Sequence, residues 1–529
     1  MNWLSHSFGS TSRMYGSRVA LKEGQRTITY QELDRRTNAL GEYFQSVGVN
    51  PGDRVAVLSK NSSEMIETFI SCYKYGLIYV PLNYRLPMDK LQYILSDCEA
   101  SVLVVSKEYA DLAASFLDYN VKLKTIIVTK EPHSCMHFYD EAVSDKYRAS
   151  DNNRASGGVF DDTTRAAIVY TSGTTGLPKG VILTHRNLLE TAKIQVMEMG
   201  IVPTDRGLSV MPLFHIGGNA LALGHLCRGA TMVIMPEFNV KEVLNVIVHE
   251  RITTAHLVPT MIAMLLEDEN IHNADLSSLR AIAYVGSPMP LSLLKRAVGI
   301  FGMETFLQLY GQTEFSPVIT CLSRREHTGG FEQETEGTVS ILKSCGRPVF
   351  NVEVRIIKDG REVPRGEVGE ITARGETIMA GYWNRPDLTE KKIIDGWLYT
   401  GDLGRMDEDG YVYLVDRKED MIITGGENVY PTEVERILYE HPTVQEVAVV
   451  GQPDEKWGER VVAAVVLREG STLTEIELLS WCRGRIQGYA LPRRIYFFDT
   501  LPKNATGKIV RMLVLEEVNK LLCEMDAAI

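Results

Sequence analysis

Across the first 300 residues, short apolar runs alternate with stretches of helical periodicity, and this alternation narrows the fold more than any other feature. Thr29 and Glu32 have capping-box spacing and open a helix with Leu33, Leu40 and Tyr43 on one face. A Pro51-Gly52 turn leads into the strand VAVL, Val55 to Leu58. Asn61 and Glu64 then cap a helix carrying Met65, Phe69 and Tyr73. SVLVV from Ser101 and KTIIV from Lys124 read as buried strands. A polar stretch, Lys146 to Thr164, reads as a surface linker, after which the pattern resumes with AAIVY, LSVMP, TMVIM, TAHLVP and RAIAYVG. Apolar strands separated by helices are the pattern of a parallel sheet buried on both faces.

From about Ser344 the character changes to short strands joined by DG and RG turns, a small antiparallel β unit. Beyond Arg417 comes a mixed helix and strand pattern of a size that folds alone. The expected fold is α/β: a large N-terminal domain of two βα-rich subdomains with a small β unit, plus a small α+β C-terminal domain. The expected boundaries are 1–416 for the first domain, its β subdomain at about 340–416, a hinge at 417–420, and the second domain at 421–529.

At 529 residues the chain is too long for one core. Its net charge of −12 argues against nucleic acid or an anionic membrane as the main partner, though not against a phosphorylated ligand held by local donors. None of the eight cysteines stands in a C-x-x-C pair, which reads as reduced thiols in a cytoplasmic protein. The first residues lack an apolar signal core, and no apolar run approaches the roughly 20 residues that span a bilayer.

Four segments carry the chemistry. YTSGTTGLPKGV, Tyr170 to Val181, follows a strand and gathers Thr171, Ser172, Gly173, Thr174, Thr175, Gly176 and Lys179. Open backbone N–H groups, hydroxyls and an ammonium suit a loop that wraps phosphates, although the spacing is not that of a Walker A motif. LYGQTEFSP, Leu309 to Pro317, places Glu314 at a strand exit as a candidate Mg²⁺ ligand, Thr313 as a phosphate donor and Tyr310 as a ring for a purine. In YTGDLGRMDEDGYVYLVDRKED, Asp402 stands in a tight turn and can accept from two ribose hydroxyls, with Arg417 offering a donor fork. In LPKNATGKIVR, Lys508 follows Gly507 in a polar loop. Taken singly, each segment is also compatible with an ordinary turn, capped loop or solvated lysine.

Together, in this order and spacing, the four segments resemble the adenylate-forming superfamily of acyl-CoA synthetases, adenylation domains and firefly-type luciferases, over essentially the whole chain. The resemblance implies an enzyme using ATP, Mg²⁺ and CoA. A carboxylate attacks the α-phosphorus of ATP to give an acyl-adenylate and pyrophosphate; a thiol then displaces AMP. It implies that Thr171 and Glu314 serve the metal, that Thr171, His215, Glu314 and Lys508 are catalytic, and that Gly286, Ser287, Pro288, Tyr310, Gly311, Gln312 and Thr313 line the nucleotide site with the phosphate loop. It further implies that Asp402 and Arg417 hold the ribose. The C-terminal domain is then mobile, pivoting at Glu419, withdrawing Lys508 and bringing in Gly425, Gly426 and Glu427 for the thiol step.

By the same resemblance the acid pocket is built from His215, Gly217, Gly218, Asn219, Gly311 and Phe315, with His215 as its gate. Glycine at 311, where relatives using two- or three-carbon acids carry tryptophan, is read as room for a longer or aromatic acid. No acidic residue in these segments is available for an amino group, which disfavours an amino acid. The favoured substrate is a medium- or long-chain fatty acid, with an aryl or arylpropenoic acid next. Alternatives are transfer to a carrier protein, a luciferase-like oxygenase and a non-catalytic binder. Expected partners are the acid, ATP and CoA, with a homodimer possible and neither nucleic acid nor a transmembrane segment.

Overall fold

The computed structural model describes residues 3–118, 122–147, 160–171, 177–332, 340–503 and 509–527. The chain divides into two compact units. One comprises Met1–Val354 with Ala373–Leu398, the other Arg355–Thr372 with Tyr399–Ile529.

The first unit is built on two sheets. In one, the strands Ile78–Leu82, Arg54–Leu58, Val102–Ser106 and Thr125–Thr129 run parallel, as their continuous apolar sequences require. Arg165–Thr171 extends that sheet next to Ile78–Leu82, and the antiparallel strands Lys179–Thr184 and Gly381–Tyr382 form its edge. In the other, Phe306–Tyr310, Ala281–Val285, Thr254–Leu257, Arg206–Ser209, Thr231–Ile234 and Val19–Glu23 lie side by side in parallel. The strands expected from the sequence thus form, and an apolar cluster including Leu208, Val233, Leu257, Ile282 and Phe306 fills the core of this second sheet.

Helix entry shows one correction. Thr29 caps Tyr30–Ser46, its hydroxyl accepting from Glu32 N–H. The helix Ser63–Tyr75, however, is capped by Ser62, whose hydroxyl accepts from Met65 N–H; Asn61 is not the cap. The Asn61 amide instead donates to the carbonyls of Met211 and Met235 at 3.0 and 3.1 Å and accepts from Leu213 N–H at 2.8 Å. It thereby anchors the segment that leads to His215.

Short antiparallel pairs appear where the turns called for them: Val352–Lys358 with Arg361–Glu362, and Trp397–Met406 with Val412–Arg417. The C-terminal sheet of the second unit comprises Glu427–Val429, Ile422–Thr424, Gly458–Leu467, Val444–Asp454 and Arg494–Phe497. Its long hairpin alternates sides: Val447, Val449, Val461 and Val465 pack into one apolar cluster, and Ala448, Val450, Val462 and Ala464 into another. The polar linker is described only at its ends, residues 148–159 lying outside the described residues. Among the described residues no helix is long and apolar enough to cross a membrane, and no two cysteines form a disulfide.

Candidate active site

In the second sheet of the first unit, the segments singled out in the sequence leave neighbouring parallel strands at the same, carboxyl, edge. Val285 pairs with Leu309, so Gly286–Pro288 and Tyr310–Glu314 emerge side by side. His215 follows the strand Arg206–Ser209, which lies two places from Ala281–Val285 in that sheet. Open α/β sheets bind ligands at this edge. Gly286 turns with φ of 85°, the left-handed region that favours glycine.

Glu314 lies in the 3-10 turn Thr313–Phe315, directly after Phe306–Tyr310. Its carboxylate Oε1 accepts from the Tyr382 hydroxyl at 2.7 Å, and its carbonyl accepts from Met379 N–H at 3.0 Å. Burial, together with the neighbouring Glu314 charge, pushes the Tyr382 phenol far above its ordinary range, so it remains a donor. The Gln312 side-chain N–H is buried with no hydrogen-bond partner among the described residues. Tyr310 is nearly buried at its strand's end.

The strands on either side of the expected phosphate loop pair with each other. Thr171 pairs with Lys179 and Tyr170 with Gly180 across the antiparallel pair. The Tyr170 hydroxyl donates to Asp97 at 2.5 Å, and a Cβ on Gly180 would meet Ile168 Cγ2 at 2.7 Å, so only glycine fits. Lys179 Nζ lies 5.9 Å from the centroid of the Tyr382 ring. Tyr382 therefore carries Lys179 on its face and Glu314 at its hydroxyl. No sequence motif marked Tyr382; its partners are remote in the chain, and no local periodicity records them. Ser172, Gly173, Thr174, Thr175 and Gly176, and likewise Lys508, lie outside the described residues.

Among the described residues, no cluster of three or more His, Cys, Asp or Glu forms a metal cage. Of the two residues expected to serve a metal, Glu314 has one oxygen taken by Tyr382 and would offer its second, and Thr171 would add a hydroxyl. Such a sparse set of hard oxygen donors fits Mg²⁺, which keeps water and substrate phosphates as most of its shell.

The pocket residues divide. His215 precedes the helix Ile216–Arg228, its ring tilted 5.0 Å from Phe214, and lines a small cavity with Tyr73, Tyr79, Leu213 and Asn219. At Gly217 an added Cβ would meet nothing within 4 Å. At Gly218 it would meet the Pro212 carbonyl oxygen at 2.5 Å, so this glycine serves close backbone packing and adds no pocket space. At Gly311 it would strike the Pro317 carbonyl oxygen at 1.8 Å. The reading of Gly311 as open floor is therefore corrected: the direction a side chain would take is filled by backbone. Phe315 is fully buried, its ring tip near Gly375, a core position that offers the acid no open surface.

Behind Gly217, His256 Nδ1 lies 3.3 Å from the Gly217 carbonyl, and His256 Nε2 lies 3.0 Å from Gln195 Oε1. Burial pulls His256 down to about 3, so the ring is neutral.

In the second unit, Asp402 and Arg417 are register partners, with Arg417 Nε 3.5 Å from Asp402 Oδ1. Arg417 Nη1 is 3.8 Å from Glu419, and both side chains are exposed. Gly425 and Gly426 take φ of 60° and 85° in the turn before the exposed Glu427. Arg511 binds Asp420, Glu435 and Asp416 at 2.6, 2.8 and 3.4 Å.

Comparison with known proteins bears out the fold and the family. Residues 8–383 match the family model described as AMP-binding enzyme, and residues 433–508 match the AMP-binding enzyme C-terminal domain. A feruloyl-CoA synthase of Amycolatopsis sp is 37% identical over 94% of this chain and 96% of the relative. The fatty acid–[acyl-carrier-protein] ligase ScoC of Streptomyces coeruleorubidus is 35% identical over 93% of this chain and 92% of its own. The o-succinylbenzoate CoA synthetase MenE of Bacillus subtilis, solved with its acyl-adenylate OSB-AMP, superposes with a TM-score of 0.83 at 32% identity, covering 96% of this chain and 97% of that one. With the larger model spanning most of the chain and relatives matching end to end, this protein belongs to the AMP-binding enzyme family.

Proposed function

We propose that this AMP-binding enzyme joins a carboxylic acid, of aryl or arylpropenoic type, to CoA through an acyl-adenylate, releasing pyrophosphate and then AMP. The observation that carries the reading is the meeting of Lys179 and Glu314 on one side chain, Tyr382. An ammonium and a metal-ligand carboxylate, brought together from separate sheets, are what a triphosphate requires. In the first step the acid's oxygen attacks the α-phosphorus and pyrophosphate leaves. Both reactants are anionic, so catalysis is largely charge stabilisation. Lys179 and the N–H groups from Thr171 to Gly176 bind the phosphate oxygens. Glu314 and Thr171 would hold Mg²⁺, which would supply further charge neutralisation there. Gly286, Ser287, Pro288, Tyr310, Gln312 and Thr313 shape the nucleotide slot, Asp402 and Arg417 bind the ribose, and Lys508 bridges acid and phosphate. The second step needs access for a thiol. Rotation at Glu419, within a hinge at 417–420 between domains 1–416 and 421–529, exchanges Lys508 for Gly425, Gly426 and Glu427.

The acid class rests on two relatives named for ferulate and o-succinylbenzoate, and on the buried polar His256–Gln195 pair behind Gly217, a poor neighbour for an extended alkyl chain. The relative named for a fatty acid and a carrier protein supports a second reading, a fatty acid passed to a carrier. A cytoplasmic location is the reading supported by the free thiols among the described residues.

A panel of aryl and aliphatic acids, assayed for pyrophosphate, AMP and thioester with CoA or with a phosphopantetheinylated carrier, tests the proposal. Turnover with aryl acids and CoA is expected. Turnover with fatty acids and carrier alone selects the second reading.

A further inference from the structure

Tyr382 belongs to no motif that announces chemistry, yet it is fixed more firmly than a surface side chain needs to be. The strand Gly381–Tyr382 pairs with the phosphate-loop hairpin, Tyr382 opposite Val181. Around it Ala380 N–H donates to Ile182 at 2.9 Å and Trp383 N–H to Gly180 at 2.7 Å. Tyr382 N–H itself donates to the Thr389 hydroxyl at 2.9 Å. One strap upstream, the Asn187 amide donates to the carbonyls of Glu376 and Ile378 at 2.7 and 2.9 Å. The ring is thus held at a set place between the two sheets' functional loops, and only 8% of the residue is exposed.

We propose that Tyr382 is a positioning residue for adenylation: its hydroxyl occupies one oxygen of Glu314, leaving the other for the metal–nucleotide, while its ring carries Lys179 and keeps that ammonium from collapsing onto the carboxylate. The proposal rests on the functional reading above. An ammonium and a carboxylate that share one neighbour attract each other, and once paired neither would be free for its ligand. A phenol at the carboxylate and a ring face under the ammonium give each charge a neutral partner and set their separation before the nucleotide arrives. This is preorganisation, with the cost met in folding rather than at each turnover.

Tyr382→Phe removes the hydroxyl and keeps the ring; Tyr382→Leu removes both. Five quantities are measured on the full chain: thermal unfolding, Mn²⁺ affinity in the presence of a non-hydrolysable ATP analogue, nucleotide affinity without metal, acid-dependent ATP–pyrophosphate exchange as a function of Mg²⁺, and thioester formation from supplied acyl-adenylate. In Tyr382→Phe, Mn²⁺ affinity is expected to fall roughly tenfold, with metal-free nucleotide binding and thioester formation from supplied acyl-adenylate unchanged. Tyr382→Leu is expected to lose metal-free nucleotide affinity as well, by about three- to fivefold. Wild-type metal affinity in Tyr382→Phe overturns the proposal. So does an equal loss of every quantity, which would mark a purely structural side chain. If wild type shows no exchange with any acid, the functional reading fails, while the Mn²⁺ titration still decides the role of Tyr382.

Discussion

Arg417 lies directly across the antiparallel ladder from Asp402, its Nε 3.5 Å from the carboxylate. The pair was read from the sequence as two hands on one ribose, and the hairpin holds them as cross-strand neighbours. Arg417 is more than half exposed, so the ion pair adds little stability. Asp402→Asn should weaken ATP binding roughly tenfold or more, since a charge-assisted hydrogen bond is lost. Its unfolding temperature should match wild type. Nucleotide binding by calorimetry with a parallel melting curve checks both; a large stability loss with unchanged affinity would remove Asp402 from the site.

Gly311→Ala tests the corrected pocket. With Pro317 O at 1.8 Å from the added Cβ, the turn must move. Overpacking of this kind costs about 1–3 kcal/mol. Adenylation should fall for every acid in a panel, with no change in the order of preference. A selective gain for short acids would show that the turn yields and that position 311 faces the substrate after all.

Acid sensitivity should come from buried imidazoles. His225 is fully buried, with Nδ1 2.9 Å from the Leu221 carbonyl and Nε2 2.6 Å from the Thr254 hydroxyl. Desolvation pulls it down to about 4 from an ordinary 6.5. The unfolded chain binds the proton first, so stability is full above pH 6.5 and falls as pH drops toward 4. One such group accounts for roughly 3 kcal/mol over that window. His256 acts in the same direction. His225→Asn should lower stability at neutral pH and flatten the acid limb of a stability–pH curve by about one proton; an unchanged slope would show that His225 is protonated in the fold.

Arg511→Leu should loosen the second unit. Its guanidinium joins Asp416, Asp420 and Glu435, and Asp416 is almost fully buried. Removing one member of a buried charge group costs about 3–5 kcal/mol. Differential scanning calorimetry should show the transition of the C-terminal residues moved down, and proteolysis near residues 416–420 should quicken. Intact cleavage resistance would mean that Arg511 does not brace this segment.

The sequence revealed what continuous local pattern encodes. Runs such as Val102–Ser106 and Thr125–Thr129 had to be buried strands because every residue is apolar or small, and they are. Helix entry was legible to within one residue: Ser62 and Asn61 are both good caps, and Asn61 was diverted by carbonyls far along the chain, at Met211 and Met235. The glycines were visible as glycines, but what each avoids was not. Gly217 faces space, whereas Gly218 and Gly311 face backbone, a distinction set by the path of residues 211–212 and 317. Tyr382 stayed hidden because its role depends on Lys179 and Glu314 arriving from opposite sheets.

The blocked direction at Gly311 limits what substitution can do at that turn. No single replacement there can add side-chain atoms without dragging the following turn along. Gly217, by contrast, has room for new atoms on its Cα, so drift or a protein engineer can add a side chain there without moving the backbone.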